Sequence, residues 1–185
     1  MKRRNFLSGL VATALLIRPW RFALAGELPV QPSLVDIQTH WKAQLAANAN
    51  IATSSAPLKH STEEWRKLLT SQQYSVLREE DTERPFTSPL NHELRSGVFV
   101  CAGCALPLFT SAMKFDSGTG WPSFFTTIPD AFMTKTDLNL IYPRTEYHCA
   151  KCGGHHGHVF DDGPPPTGQR WCNNGVALRF IPKNG

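Results

Sequence analysis

A chain of 185 residues with 41% apolar residues is long enough for one domain with a real core. Its formal charge of +4 misleads about partners, because residues 1 to 25 hold five of the 19 basic residues (Lys2, Arg3, Arg4, Arg18, Arg21) and none of the 15 acids. Without that segment 14 basic residues face 15 acidic ones, a charge of −1, which excludes a general electrostatic attraction to nucleic acid.

The first segment reads as an address. A basic start, an apolar stretch from Phe6 to Ile17 and the small-residue sequence Ala23-Leu24-Ala25 form a signal peptide with a cleavage site near Ala25. The apolar stretch is too short for a stable membrane anchor. Its RRNFL core resembles a twin-arginine signal, read by the export machinery that passes folded chains to the periplasm or outside. An ordinary secretory signal or an uncleaved anchor is the alternative.

Residues 26–60 form an N-terminal extension, with prolines at 29, 32 and 57. Within it Ser33 caps an expected helix with Leu34, Ile37, Trp41 and Leu45 on one face. The domain proper is expected over 61–185. Ser61-Thr62-Glu63-Glu64 has capping-box spacing and is followed by the apolar stripe Trp65, Leu68 and Leu69; a further short helix over about 70–80 buries Tyr74 and Leu77. From Gly97 the chain turns to short β-prone runs, GVFVC, LNLIY, TEYHC, GHVF and RWCNNGVALRFI, separated by turn residues. The pattern predicts a mainly β (α+β) fold of antiparallel sheets with short N-terminal helices.

Four of the five cysteines form two C-x-x-C pairs, Cys101 with Cys104 and Cys149 with Cys152, each after a predicted strand. Two such turns brought together supply four thiolates for one structural zinc ion. Two disulfides are the alternative for an exported chain, but closing a C-x-x-C makes a small, labile ring. A site closed by four cysteines does no chemistry itself.

Cys172 is left as the thiol free to react. On a strand, Arg170, Cys172 and Asn174 share one face while Trp171 and Asn173 take the other. The guanidinium is expected to favour the thiolate, and Asn174 to offer a donor near whatever Cys172 attacks. GGHHGHVFDDGP, residues 153–164, adds His155 and His158 for proton transfer and Asp162 to orient a histidine or a water. Strict alternation would separate His155 from His158, so the glycines at 153, 154 and 157 are expected to make a turn. In FDSGTGWPSF, residues 115–124, a glycine-bounded loop presents Trp121 as an apolar wall suited to a methyl group or thioether.

Taken together, C-x-x-C, FDSGTGWPSF, the second C-x-x-C, GHVFDDGP and RWCNN resemble the B-type peptide methionine-R-sulfoxide reductases, from about Ser61 to Ile181 and including TERPFT at 82–87. The resemblance implies two antiparallel sheets, a structural zinc remote from the active site, and reduction of the R epimer of methionine sulfoxide in oxidised proteins. It makes Cys172 the nucleophile, His155, His158, Asp162 and Asn174 the polar and proton-handling groups, and Arg170 an aid to the thiolate. Trp121 and Phe160 would hold the substrate methyl group. Thr119 departs from the pattern, since many members carry a resolving cysteine there. With four cysteines committed to zinc, oxidised Cys172 is expected to be reduced by an external thiol: a thioredoxin-like or glutaredoxin-like protein, or a small thiol. A thiol peroxidase or disulfide oxidoreductase, and a metal-handling module without catalysis, are the competing readings.

Overall fold

The computed structural model of the chain describes residues 32–138 and 143–184. The expected signal segment over residues 1–25 lies outside them. Residues 32–60 lie against the domain. After the Ser33 capping box, helix α1 runs only over Leu34–Thr39, and Trp41–Gln44 form a 3-10 turn. The expected stripe is thus split between two elements; Ile37, Trp41 and Leu45 still pack against the core, half-buried. Further on, the Ala52 N–H donates to Ala105 O at 2.9 Å and the Leu58 N–H to Lys151 O at 2.7 Å. The extension therefore straps both cysteine turns.

Helix α2 (Thr62–Leu68) and helix α3 (Ser71–Glu79) each start with a reciprocal capping box, Ser61 with Glu64 and Thr70 with Gln73. Each satisfies two backbone N–H groups that a helix start otherwise leaves open. Trp65, Leu69, Tyr74, Val76 and Leu77 are buried, whereas Leu68 is 60% exposed. Leu68 leaves the expected stripe because α2 ends there: Leu69 is extended, with φ −109° and ψ 147°, and so turns to the core in its place.

Among the described residues nine strands follow: β1 (Gly97–Cys101), β2 (Pro107–Thr110), β3 (Lys114–Phe115), β4 (Ser123–Phe124), β5 (Phe132–Asp137), β6 (Arg144–Cys149), β7 (His155–Phe160), β8 (Arg170–Asn173) and β9 (Leu178–Pro182). They form two antiparallel sheets, β2-β1-β9 and β3-β4-β8-β7-β6-β5. The expected fold class stands. Val98, Phe99 and Val100 of the central strand β1 are fully buried, and Phe124 stacks on Phe109 at 3.9 Å between ring centroids, joining the sheets' cores.

Two strand expectations change. RWCNNGVALRFI is two strands in different sheets, split by a 3-10 turn over Gly175–Ala177. The expected strand LNLIY does not begin at Leu138, which follows the end of β5 and is 72% exposed; residues 139–142 lie outside the described region. The strand formed there is FMTKTD, mostly exposed and hence weakly patterned.

Candidate active site and metal centre

Strand register collects the site on one face of the six-stranded sheet. His158 of β7 and Ser123 of β4 are the cross-strand partners of Cys172 on β8, Phe160 partners Arg170, and Glu146 of β6 partners His158. On the opposite face Trp171, Tyr147, Phe132 and His156 pack ring against ring. The expected alternation of Arg170 and Cys172 against Trp171 and Asn173 is what the sheet shows; Asn174 lies beyond the strand end and caps the 3-10 turn. The expected turn between His155 and His158 is a bulge: Tyr147 pairs with Gly157 but His148 with His155, so His156 is the extra residue. The bulge returns His155 and His158 to one face. Gly157 is obligatory there, since a Cβ would lie 2.0 Å from the Cys172 carbonyl oxygen.

Cys172 borders a cleft of about 120 Å³, several-fold below the roughly 300–1,000 Å³ of pockets that take drug-sized ligands, so it admits a side-chain head. Trp121 and Phe160 supply apolar walls, and His158, Asn174 and Arg144 polar ones. The Arg170 guanidinium lies 4.3 Å from the Phe160 ring centre and makes a fork-to-fork pair with Asp162 at 2.8 and 2.9 Å. Asp162 therefore orients the arginine rather than a histidine or a water, and that hydrogen bonding holds its carboxyl below the usual range. Arg170 acts on Cys172 in the expected direction, its charge and a hydrogen bond favouring the thiolate together with a hydrogen bond from Thr119, but burial pushes the thiol up and they offset this only in part. The Thr119 hydroxyl that acts on Cys172 continues through Ser117 to Ser123 in steps of 2.8 Å.

His158 Nε2 lies 2.9 Å from Asp137 Oδ2, and His155 Nδ1 lies 2.5 Å from Glu146 Oε1. Burial lowers the affinity of both imidazoles for a proton, and the paired carboxylates oppose it. At neutral pH they are neutral rings, each with a carboxylate behind it that would stabilise an added proton. His155 stands behind His158, 5.6 Å between ring centres, and does not border the cleft.

Glu83, in the TERPFT segment, is the residue that sequence reasoning left without a role. Its buried carboxylate accepts hydrogen bonds from the Gly175 and Val176 N–H groups at 2.6 and 2.9 Å. Its own N–H donates to Asn174 Oδ1, and its carbonyl accepts the indole N–H of Trp121 at 3.1 Å. Asn174 Nδ2 in turn donates to His156 O. The expected substrate donor is therefore largely engaged as a brace. Asp137, Glu146 and Tyr147 were also missed; the Tyr147 hydroxyl donates to Cys172 O or Asn173 Oδ1, at 3.1 and 3.0 Å. Only the tertiary pairing of β5, β6 and β7 brings them in.

Apart from this cleft, Cys101, Cys104, Cys149 and Cys152 converge with all four sulfurs within 4.8 Å of one another. None of the four is in a disulfide, and Cys101 with Cys152 and Cys104 with Cys149 stand 3.6 and 3.5 Å apart, beyond the about 2.05 Å of an S–S bond. A tetrahedral ion with sulfurs at about 2.3 Å sets them about 3.8 Å apart, so the donor set fits zinc. Arg78 supports it from outside, donating to Cys152 O at 2.9 Å and approaching its sulfur at 3.9 Å.

A single unclustered thiol at a small cleft, between apolar walls and an imidazole, has the arrangement of a thiol-dependent redox enzyme. Comparison with known proteins narrows the class. The profile described as the SelR domain matches residues 69–182. The chain is 54% identical over 124 residues to the peptide methionine sulfoxide reductase MsrB of Pseudomonas putida (strain W619), covering 66% of this chain and 93% of that protein. It is 50% identical over 124 residues to the protein of the same description from Methanosarcina barkeri (strain Fusaro / DSM 804), covering 66% and 87%. Against the peptide methionine sulfoxide reductase B1, chloroplastic, of Oryza sativa subsp. japonica, identity is 50% over 119 residues, 64% of this chain and 56% of that one. The chain belongs to the SelR-domain family, that of the MsrB proteins.

Proposed function

We propose that the protein reduces the R epimer of methionine sulfoxide in proteins to methionine, with Cys172 as nucleophile, and so repairs oxidised proteins. The observation that carries this is the Cys172 thiol at a cleft sized for one side-chain head, between the apolar walls of Trp121 and Phe160 and the His158 imidazole. The Cys172 sulfur attacks the sulfoxide sulfur as the S–O bond breaks. The thiol proton passes through the neutral imidazole side to the departing oxygen, because an unprotonated oxide is a poor leaving group. The hydroxide so released then attacks the Cys172 sulfur and breaks the new sulfur–sulfur bond, whose electron pair leaves with the substrate as a thioether; Cys172 is left as a sulfenic acid, the sulfoxide sulfur having gained two electrons and the Cys172 sulfur lost two. Thiol plus sulfoxide gives sulfenic acid plus thioether, with no external proton required.

With the methyl against Trp121 and Phe160 and the oxygen on the imidazole side, one hand at sulfur fits. A first external thiol then attacks the sulfenic acid, forming a mixed disulfide and releasing water; a second thiol releases Cys172. A thioredoxin-like or glutaredoxin-like protein, or a small thiol, serves as reductant. Thr119 supports this reading, for it puts a hydroxyl beside Cys172 where an internal thiol would otherwise resolve the intermediate. Cys101, Cys104, Cys149 and Cys152 would hold zinc, which when bound ties the two cysteine turns together and leaves Cys172 to the reaction. Residues 1–25 would direct the chain through the twin-arginine export machinery to the periplasm or outside; an Arg3→Lys, Arg4→Lys chain would remain uncleaved inside the cell.

The test is a single turnover without reductant on the separate epimers of a blocked methionine sulfoxide. About one methionine per chain from the R epimer alone, lost in Cys172→Ser, supports the proposal. No methionine from either epimer, with Cys172 reduced, overturns it.

A further inference from the structure

Glu146, His148 and His155 form a second group of donors, distinct from the four cysteines although His148 precedes Cys149 in the chain, and their three ligating atoms lie within 4.8 Å of one another. Two features are unlike an ordinary hydrogen-bonded chain. Glu146 divides its oxygens: Oε2 takes the Lys135 ammonium at 3.1 Å, while Oε1 meets both imidazoles, His155 Nδ1 at 2.5 Å and His148 Nε2 at 3.0 Å. Moreover His148 Nε2, though this close and buried, makes no hydrogen bond. A nitrogen that approaches a carboxylate oxygen without aligning on it, in company with a second imidazole, has the arrangement of donors converging on a common point. We propose that Glu146, His148 and His155 form a second metal site, for one divalent transition ion of the Zn²⁺ or Cu²⁺ kind, and that filling it slows the reductase site by engaging His155, the ring that stands behind His158.

Imidazole and carboxylate donors suit these borderline ions. Ligands about 2.0–2.1 Å from a tetrahedral ion stand about 3.3 Å apart, within an ångström of the two close contacts. Three protein donors leave one position for water, as in open metal sites. Lys135 opposes the added positive charge, but its ammonium is 2.6 Å from Glu80 as well as on Oε2, so it leaves Oε1 to the site. The ion reaches it past His148, whose side chain is 13% exposed. Once held, the His155 ring, edge-to-face with His158 at 5.6 Å between ring centres, is fixed by the ion and can no longer adjust as His158 handles a proton. The inhibitory half of the proposal rests on the reductase reading; the binding half does not.

The test uses the full chain with its cysteine cluster zinc-filled. A Cys172→Ser variant, which removes the redox-active thiol, is titrated with Cu²⁺ and followed by dialysis and electron paramagnetic resonance. The expected result is about one further ion per chain with hyperfine structure from two nitrogens. Adding His148→Gln is expected to weaken binding by more than the about 10–100-fold that losing an outer-shell partner costs. Uptake of no further ion, or equal affinity and unchanged hyperfine structure with His148→Gln, would overturn the site. In the wild-type chain, single-turnover reduction should slow as buffered Zn²⁺ fills the site. His148→Gln should match the wild-type rate without added metal and resist inhibition. Binding without inhibition would overturn the regulatory half. An R-epimer assay silent even before metal is added would sink the reductase reading while the titration upheld the site.

Discussion

Arg170→Met should slow Cys172 by a calculable amount. Burial raises the Cys172 thiol and the guanidinium is its largest counterweight, so removing the charge raises the thiol further. A cation within reach shifts such a group by about 1–3 pKa units. The thiolate fraction at fixed pH then falls by about 10- to 1,000-fold, but a more basic thiolate is a better nucleophile, with a Brønsted coefficient of about 0.4–0.5. The rate should therefore fall by about 3- to 60-fold. The assay is the pH dependence of iodoacetamide alkylation of Cys172, read beside single-turnover methionine formation. The expected outcome is an upward displacement of the alkylation profile by about 1–3 pH units, with reduction slowed in parallel. Arg170→Lys should fall between, keeping the charge but losing the fork to Asp162. A profile that stays in place or moves down in Arg170→Met would refute the electrostatic role.

Gly157→Ala should force β7 from β8 and destabilise the chain by at least the about 1–3 kcal/mol of an overpacked core, measurable as a lower urea midpoint with activity lost. Tyr147→Phe removes the donor to Cys172 O and Asn173 Oδ1 and should cost about 1–3 kcal/mol in the same assay. Burial pushes His156 down to about 3, whereas an unfolded histidine titrates near 6.5. The unfolded chain therefore binds more protons between those values, so stability present above pH 6.5 is lost as the pH falls. By pH 4 the loss is on the order of 3 kcal/mol, and unfolding series should show a shallower slope in His156→Leu. Stripping the metal with a chelator, or Cys101→Ser, should lower Tm by releasing the turns after β1 and β6, and a chelated chain that melts unchanged would dispose of a structural ion.

What could be read along the chain was local. Ser61 and Thr70 begin helices because a capping box is a four-residue signal, and the C-x-x-C turns follow strands because each closes a hairpin end. The two faces of β8 followed from a period of two. Elsewhere the deciding contacts are distant in sequence: Glu83 gains its meaning from Gly175 and Val176, and the bulge at His156 exists only against β6. The pKa of Cys172 depended on burial, which the Arg-x-Cys spacing does not encode. Strand β5 escaped notice because four of its six residues face solvent, which erases hydrophobic alternation.

The size of the cleft bears on how widely such an enzyme ranges. In the proposed reaction a recess of about 120 Å³ would grip the tip of one side chain and leave the neighbouring residues of the substrate unread. Selection then rests on accessibility rather than on a recognition sequence: a methionine qualifies when its sulfur can be offered outward, whatever chain carries it. Dissolved oxidants face the same geometric limit, so the positions most open to damage are also those most open to repair.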